Sequence, residues 1–213
     1  MVDPSQTGHG TRRPYRSPAR RQGAADTRQR ITAAASELFA EHGFAGTTVA
    51  NIAARAEVAA PTIYATFGSK GAIVRALLAQ MEQNADSAGW TRRITLEKDP
   101  HAKLAVFAQW TTALLSSSKT VIAAARGAAA DPAIIELRDE GDRHRRQGLA
   151  AVIAALAQVK ALPPGLSQEH ALDRAWMLTG VELYLAATEG CHWSDKQYEE
   201  WLTALLQQQL LSP

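Results

Sequence analysis

The chain is poor in several things at once. Of its 213 residues one is cysteine, Cys191, so no internal disulfide can form, and this sparing use of thiols fits a reducing cytoplasm. No run of 18 or more apolar residues occurs, so no membrane-spanning helix is expected. The N-terminal stretch lacks an apolar core segment, so no secretory signal is expected. There is no glycine-rich phosphate loop, no metal-ligand spacing among the six histidines and no nucleophile elbow. Cys191 and His192 are adjacent, which is the wrong geometry for a thiol–imidazole pair on one helix face, and His170 is remote from both. No catalytic constellation is visible, and no metal or cofactor is implied.

What the chain does have is apolar helical periodicity. At 46% hydrophobic it can bury a substantial core, as one domain or two. Its net charge is only +2, but unevenly spread: through Arg75 there are ten Lys/Arg against five Asp/Glu, and beyond it thirteen against sixteen. The basic excess lies in the N-terminal third, as contact with phosphates requires. Residues 1–25 are rich in Pro, Gly, Ser, Gln and Arg and read as a disordered arm with almost nothing to bury. Arg12, Arg13, Arg16, Arg20 and Arg21 make that arm basic; it either reaches neighbouring phosphates or the minor groove, or merely keeps the chain soluble.

A first helix is expected from about Asp26, an N-cap with Gln29 three residues on, with Ile31, Ala34, Ala35, Leu38 and Phe39 as its apolar stripe and Gly43 as its end. Next comes the stretch from Thr47 to Val74. Thr48 stands as an N-cap with Asn51 three residues later, and Val49, Ile52 and Ala53 follow at helical spacing. Ala56-Glu57-Val58 breaks the period. A second short helix starts near Ala60, with Pro61 in its first turn, where the missing amide proton costs nothing. Ile63 and Phe67 face inward, and Ser69 caps a third helix carrying Ile73, Val74, Leu77 and Leu78.

Two short helices joined by a tight turn, the second with small outward side chains, describe a helix-turn-helix. The major groove of B-DNA admits one helix, and a face that is not bulky can press against base edges. Ala60, Pro61 and Thr62 form the tip of that face, flanked by Tyr64, Thr66 and Lys70, which can donate to phosphate oxygens. Thr48 completes the candidate DNA-binding set. A three-helix packing unit without a DNA role is the alternative on pattern alone.

Residues 26–75 resemble the DNA-binding domain of TetR/AcrR transcriptional regulators. The resemblance rests on Phe39, Gly43-Phe44, Thr47-Thr48-Val49, Ile52-Ala53, Val58, Pro61-Thr62-Ile63-Tyr64, Phe67 and Ser69-Lys70. Three departures stand out. Glu57 occupies the turn position usually held by Gly, and so must accept a left-handed backbone. Ala59 replaces a capping Ser, at a cost of about 1 kcal/mol. Gly71-Ala72 replaces the acidic residue that often completes the cap after Ser-Lys. The resemblance implies an all-α chain: an N-terminal three-helix domain over 26–75 and a larger helical effector-binding and dimerisation domain over 76–213.

That larger part reads as helix throughout. The third helix of the motif is expected to continue from Ser69 to about Ala88. Asp99-Pro100 opens another, an Ala-rich helix covers about 120–130, and Asp131-Pro132 opens a long one ending near Val159. In that helix Asp139 and Arg143, and Asp142 and Arg146, sit four apart as solvated pairs. After the loop at Leu162-Pro163-Pro164-Gly165, Ser167 opens a helix reaching about Gly190, apolar nearly all round. Ser194 with Gln197 opens the last. In the resembled family the last two helices build a four-helix dimer interface, and those before them surround a ligand cavity. Trp90, Phe107, Trp110, Met177 and Tyr184 are the candidate lining residues, with plain core packing as the other reading. Glu182, inside an apolar stretch, could meet a cationic ligand, pair across the interface or reach solvent.

The resemblance thus implies a homodimeric repressor of a palindromic double-stranded DNA operator, released by a small-molecule effector. The competing readings are an architectural DNA-binding protein without effector, and a small-molecule-binding domain with a vestigial helix-turn-helix.

Overall fold

The computed structural model describes residues 18–84, 87–127 and 129–212. Every regular element among them is helical. Helix α1 spans Pro18–Gly46 and bends at Gly43, whose φ of 67° is left-handed and therefore suits glycine. It starts at Pro18 rather than Asp26: Asp26 is an interior residue that accepts a bond from Gln22 Nε2 at 2.9 Å. The basic stretch from Pro18 to Ala25 thus belongs to α1, with Arg21 exposed on it, while Arg12, Arg13 and Arg16 lie outside the described residues.

Helices α2 (Val49–Arg55), α3 (Ala60–Phe67) and α4 (Lys70–Asn84) follow, then α5 (Ser87–Leu96); residues 85–86, where the expected helix to Ala88 would run on, lie outside the described residues. Helix α6 (Pro100–Ser117) starts where expected, with Asp99 accepting the amide of Ala102 at 2.8 Å. Helix α7 is Lys119–Arg126 and α8 is Pro132–Gln158. The stretch after Ser167 is not one helix. Helix α9 (Gln168–Leu178) stops at Thr179, α10 (Val181–Leu185) restarts after Gly180, and a π-helical turn covers Ala186–Gly190. The interruption is polar: the buried Thr179 hydroxyl bonds the carbonyl of Ala175 at 2.8 Å and also receives Arg145 Nη1 at 3.4 Å. Helix α11 (Asp195–Leu210) opens with a complete capping box between Ser194 and Gln197.

Two hydrophobic cores organise these helices. The first gathers Ile31, Leu38, Phe39, Ile52, Ile63, Ile73 and Val74 from α1–α4, and it also takes Val121 and Ala124 from α7 and Ile134 from α8. The second gathers Leu104 and Phe107 of α6, Leu149, Ile153 and Leu156 of α8, Ala171 and Ala175 of α9, Tyr184 of α10, and Tyr198, Leu202 and Leu206 of α11. Helix α8, about 40 Å long at 1.5 Å per residue, therefore has its first turn in one core and its last turns in the other.

The charged face of α8 pairs differently from its spacing. Asp142 meets Arg145 at 3.8 Å, and Arg146 reaches across to Asp173 of α9 at 3.1 Å. A neighbouring helix offers these arginines partners that sequence spacing does not reveal.

Candidate nucleic-acid interface

The helix-turn-helix is built by local chemistry. Thr48 caps α2 by accepting the amide of Asn51 at 3.1 Å, and its hydroxyl donates to Asn51 Oδ1 at 2.7 Å. The turn from Ala56 to Ala59 carries Glu57 at φ 53°, so a non-glycine residue does occupy the left-handed position. Ala59 stands at the N-cap of α3 without a side-chain bond, and Pro61 fills the first turn. Ile63 is fully buried, which anchors α3 by one face and leaves Pro61, Tyr64 and Ala65 exposed; Tyr64 keeps 56% of its surface. Thr62 is half-buried at the edge of that face.

Three residues of the candidate set lie otherwise than expected. Ala60 is half-buried and packs against the first core, so it does not share the exposed tip with Pro61. Thr66 turns its hydroxyl back on its own helix, donating to the carbonyl of Thr62 at 2.7 Å. Lys70 points inward. Its Nζ donates to the carbonyls of Phe44 at 2.6 Å and Thr47 at 2.7 Å, and stands 3.9 Å from the centre of the Phe44 ring. The reason is that the carbonyls of Phe44 and Thr47 lie beyond the bend at Gly43, in the passage from α1 to α2 where the regular helical ladder stops, and a cation on the facing helix bonds them. Burial lowers the pKa of Lys70, against an opposing pull from Asp131. Arg28 is also committed: Nη1 donates to the carbonyl of Thr66 at 3.4 Å and the guanidinium lies 4.3 Å from the Phe67 ring centre. Lys70 and Arg28 thus hold the two ends of the recognition unit.

In the larger half, Phe107 is buried beside Trp110, with ring centres 5.8 Å apart. Tyr184 is fully buried, and its hydroxyl donates to Asp195 Oδ1 at 2.7 Å, while Ser116 donates to Asp195 Oδ2 at 2.5 Å. Burial and the Asp195 carboxylate push the Tyr184 phenol up to about 12. Burial alone would raise Asp195, but the bonds from Ser116 and Tyr184 and the nearby Lys119 hold it below its usual value.

Trp90 is half-buried, and Arg93 covers its ring at 4.3 Å. Met177 does not join the others. Ala171 and Ala175 form the inner face of α9, so Met177 points outward, 66% exposed, into an open cleft of about 510 Å³ beside Pro163–Leu166. Glu182 is exposed near the half-buried guanidinium of Arg145, which lies 3.4 Å over the ring of Trp176. A positive charge is therefore already in place beside that carboxylate.

Two buried donors stand out, one on the lining candidate Trp110 and one on Tyr198, which sequence reasoning did not single out as a lining residue. Trp110 Nε1 and Tyr198 Oη have no hydrogen-bond partner among the described residues. Helices α6 and α11 run antiparallel, since Ser116 contacts Asp195 at one end and Gln207 Nε2 donates to the carbonyl of His101 at the other. That alignment puts Trp110 and Tyr198 at a similar level of the two helices.

An N-terminal helix-turn-helix with an exposed recognition face, mounted on a larger helical half, defines a DNA-binding transcriptional regulator. Residues 31–77 match the family profile of bacterial regulatory proteins, tetR family. Relatives named HTH-type transcriptional regulator BetI, from Burkholderia cenocepacia and Burkholderia lata, are each 29% identical over 154 residues, covering 70% of this chain and 77% of theirs. A transcriptional regulator from Saccharomonospora viridis, solved with choline, superposes with a TM-score of 0.72 at 17% identity, covering 89% of this chain and 100% of its own. The regulator FadR from Bacillus subtilis, solved with stearoyl-CoA, gives 0.66 at 20% identity over 84% and 96%. Residues 31–77 thus carry the DNA-binding domain of the tetR family, and the chain as a whole is similar to regulators of that family.

Proposed function

We propose that the protein is a homodimeric, cytoplasmic repressor that holds a palindromic operator through α3 and lets go when a small molecule enters its C-terminal half. The observation that carries this reading is α8, which enters both cores. A change of packing around Leu149–Leu156 has a rigid route to the helices that present Pro61, Thr62 and Tyr64. A ligand shifts such an equilibrium by its differential affinity for the two arrangements and no more.

The unpaired donors Trp110 Nε1 and Tyr198 Oη, with Phe107 between the same helices, are the residues that a ligand bearing an acceptor oxygen would meet. The relatives of known complex, one with choline and one with stearoyl-CoA, support binding in a half of this shape. The exposed Met177 on α9 and the half-buried Trp201 and Leu205 on α11 supply apolar surface for a second copy. Two-fold symmetry then requires a palindromic site with half-sites about 34–36 Å apart, or somewhat more.

The test is to incubate the protein with fragmented genomic DNA and sequence what it retains, alongside sedimentation. An enriched inverted repeat bound by a dimer is expected. A stable monomer at micromolar concentration, or retention without sequence preference, defeats the proposal.

A further inference from the structure

The first turn of α4 follows the recognition helix after Gly68 and Ser69, so whatever fixes that turn fixes the exit of α3. Ser69 supplies one cap, accepting the amide of Ala72 at 3.1 Å. Two residues on, Gly71 has no side chain and is buried. A carboxylate from elsewhere fills its place. Asp131, the residue before α8, sets Oδ1, Cγ and Oδ2 at 2.8, 3.0 and 3.0 Å from where a β-carbon of residue 71 would stand. The acidic group absent from the first turn of α4 is thus supplied by the residue ahead of α8, at the positive end of the α4 dipole. A β-carbon at 71 would push the Asp131 carboxylate out of this position.

The contact is continued along the same face. Arg75, four residues on from Gly71, pairs with Glu136 at 3.0 Å and Glu140 at 3.2 Å, both on α8. On the other side Lys70 runs from this turn to the carbonyls of Phe44 and Thr47, immediately before the N-cap Thr48 of α2. An unbroken series of polar contacts therefore leads from the head of α8 to the helix-turn-helix.

The geometry points to Asp131 as a positioning residue for DNA binding: it caps α4 from the effector half, and displacement of α8 removes that cap and frees the recognition helix. This rests on reading the chain as a ligand-released DNA binder and says where release is transmitted. Binding coupling is reciprocal, so DNA on α3 must in turn steady the head of α8.

The experiment is amide hydrogen exchange on the full chain, with and without the operator fragment recovered above, for the wild type, Asp131→Ala, and the double variant Gly71→Glu with Asp131→Ala. The double variant returns a carboxylate to the first turn from α4 itself, into the space Asp131 vacates. In Asp131→Ala, amides 71–74 should exchange about three- to tenfold faster, and the double variant should restore them together with DNA affinity. Operator should slow exchange over 131–140 in the wild type and less in the double variant, where only the Arg75 pairs still join α4 to α8. Unchanged exchange at 71–74 in Asp131→Ala overturns the cap. DNA-dependent protection of 131–140 that survives undiminished in the double variant overturns transmission through Asp131. A wild type whose α3 amides gain no protection from any fragment defeats the functional reading itself, whereas protection of α3 without protection of 131–140 defeats this inference alone.

Discussion

The ammonium of Lys70 stands 3.9 Å from the centre of the Phe44 ring and donates to that residue's own carbonyl at 2.6 Å. One side chain of α4 thereby closes the C-terminal end of α1, by a charged hydrogen bond and a cation–π contact together. Beside it, the buried Thr47 hydroxyl bonds the carbonyls of Leu38 and Gly43 at 3.0 and 2.8 Å. The end of α1 is thus satisfied from two sides, and the helix-turn-helix starts from a fixed point.

Lys70→Met should therefore act on stability more than on phosphate contact. Losing charge-assisted bonds to two carbonyls should cost about 1–3 kcal/mol, read as a lower urea midpoint. The slope of log affinity against log salt should stay the same. A slope reduced by about one unit, with unchanged stability, would return Lys70 to the phosphate backbone.

On the exposed face of α3 two kinds of contact should separate. Tyr64→Phe should weaken operator and random duplex alike, as a phosphate donor does. Thr62→Val keeps the shape and loses the hydroxyl, so it should cost about 1–3 kcal/mol at one base position and leave non-specific binding intact. Titrations on operator, single-base variants and random duplex decide this; a uniform loss for Thr62→Val would make it a backbone contact.

The two stacked tyrosines, with ring centres 5.1 Å apart, should respond oppositely to loss of the hydroxyl. Tyr184→Phe removes the donor to Asp195 and should destabilise by about 1–3 kcal/mol. Tyr198→Phe deletes a hydroxyl that has no partner among the described residues, and should leave stability equal or higher. Chemical denaturation of both variants is the check, and a Tyr198→Phe loss as large as that of Tyr184→Phe would show that the hydroxyl is bonded.

Alkaline pH should loosen the same region. The Tyr184 and Tyr198 phenols are both pushed up to about 12, chiefly by burial, above the ordinary value of 10.0. The folded state then holds these protons where the unfolded chain releases them. Their contribution is complete below pH 10 and is lost as pH rises from about 10 to about 12. Absorbance near 295 nm should show two of the four tyrosines ionising late, and all four titrating together near 10 would contradict the burial.

The sequence by itself determined the features that depend on neighbours a few residues apart. Thr48, Asp99, Ser167 and Ser194 cap the helices they precede, because an N-cap needs only its own side chain and an amide three residues on. Glu57 took the left-handed turn, and Ile63 went inward, for equally local reasons. Tertiary structure alone decided where long polar side chains went. Lys70 looks like a phosphate donor in sequence, yet a carbonyl that claims it belongs to a residue 26 positions away, and Arg28 likewise reaches a carbonyl 38 positions away. The break at Gly180 was hidden because its apolar surroundings suit one helix or two, and Arg145 and Thr179 settle it across 34 positions. The missing acid after Ser69-Lys70 was visible as an absence. That Asp131 fills its place could not be seen until α8 had packed against α4, because a helix dipole attracts a carboxylate from any part of the chain that the fold brings near.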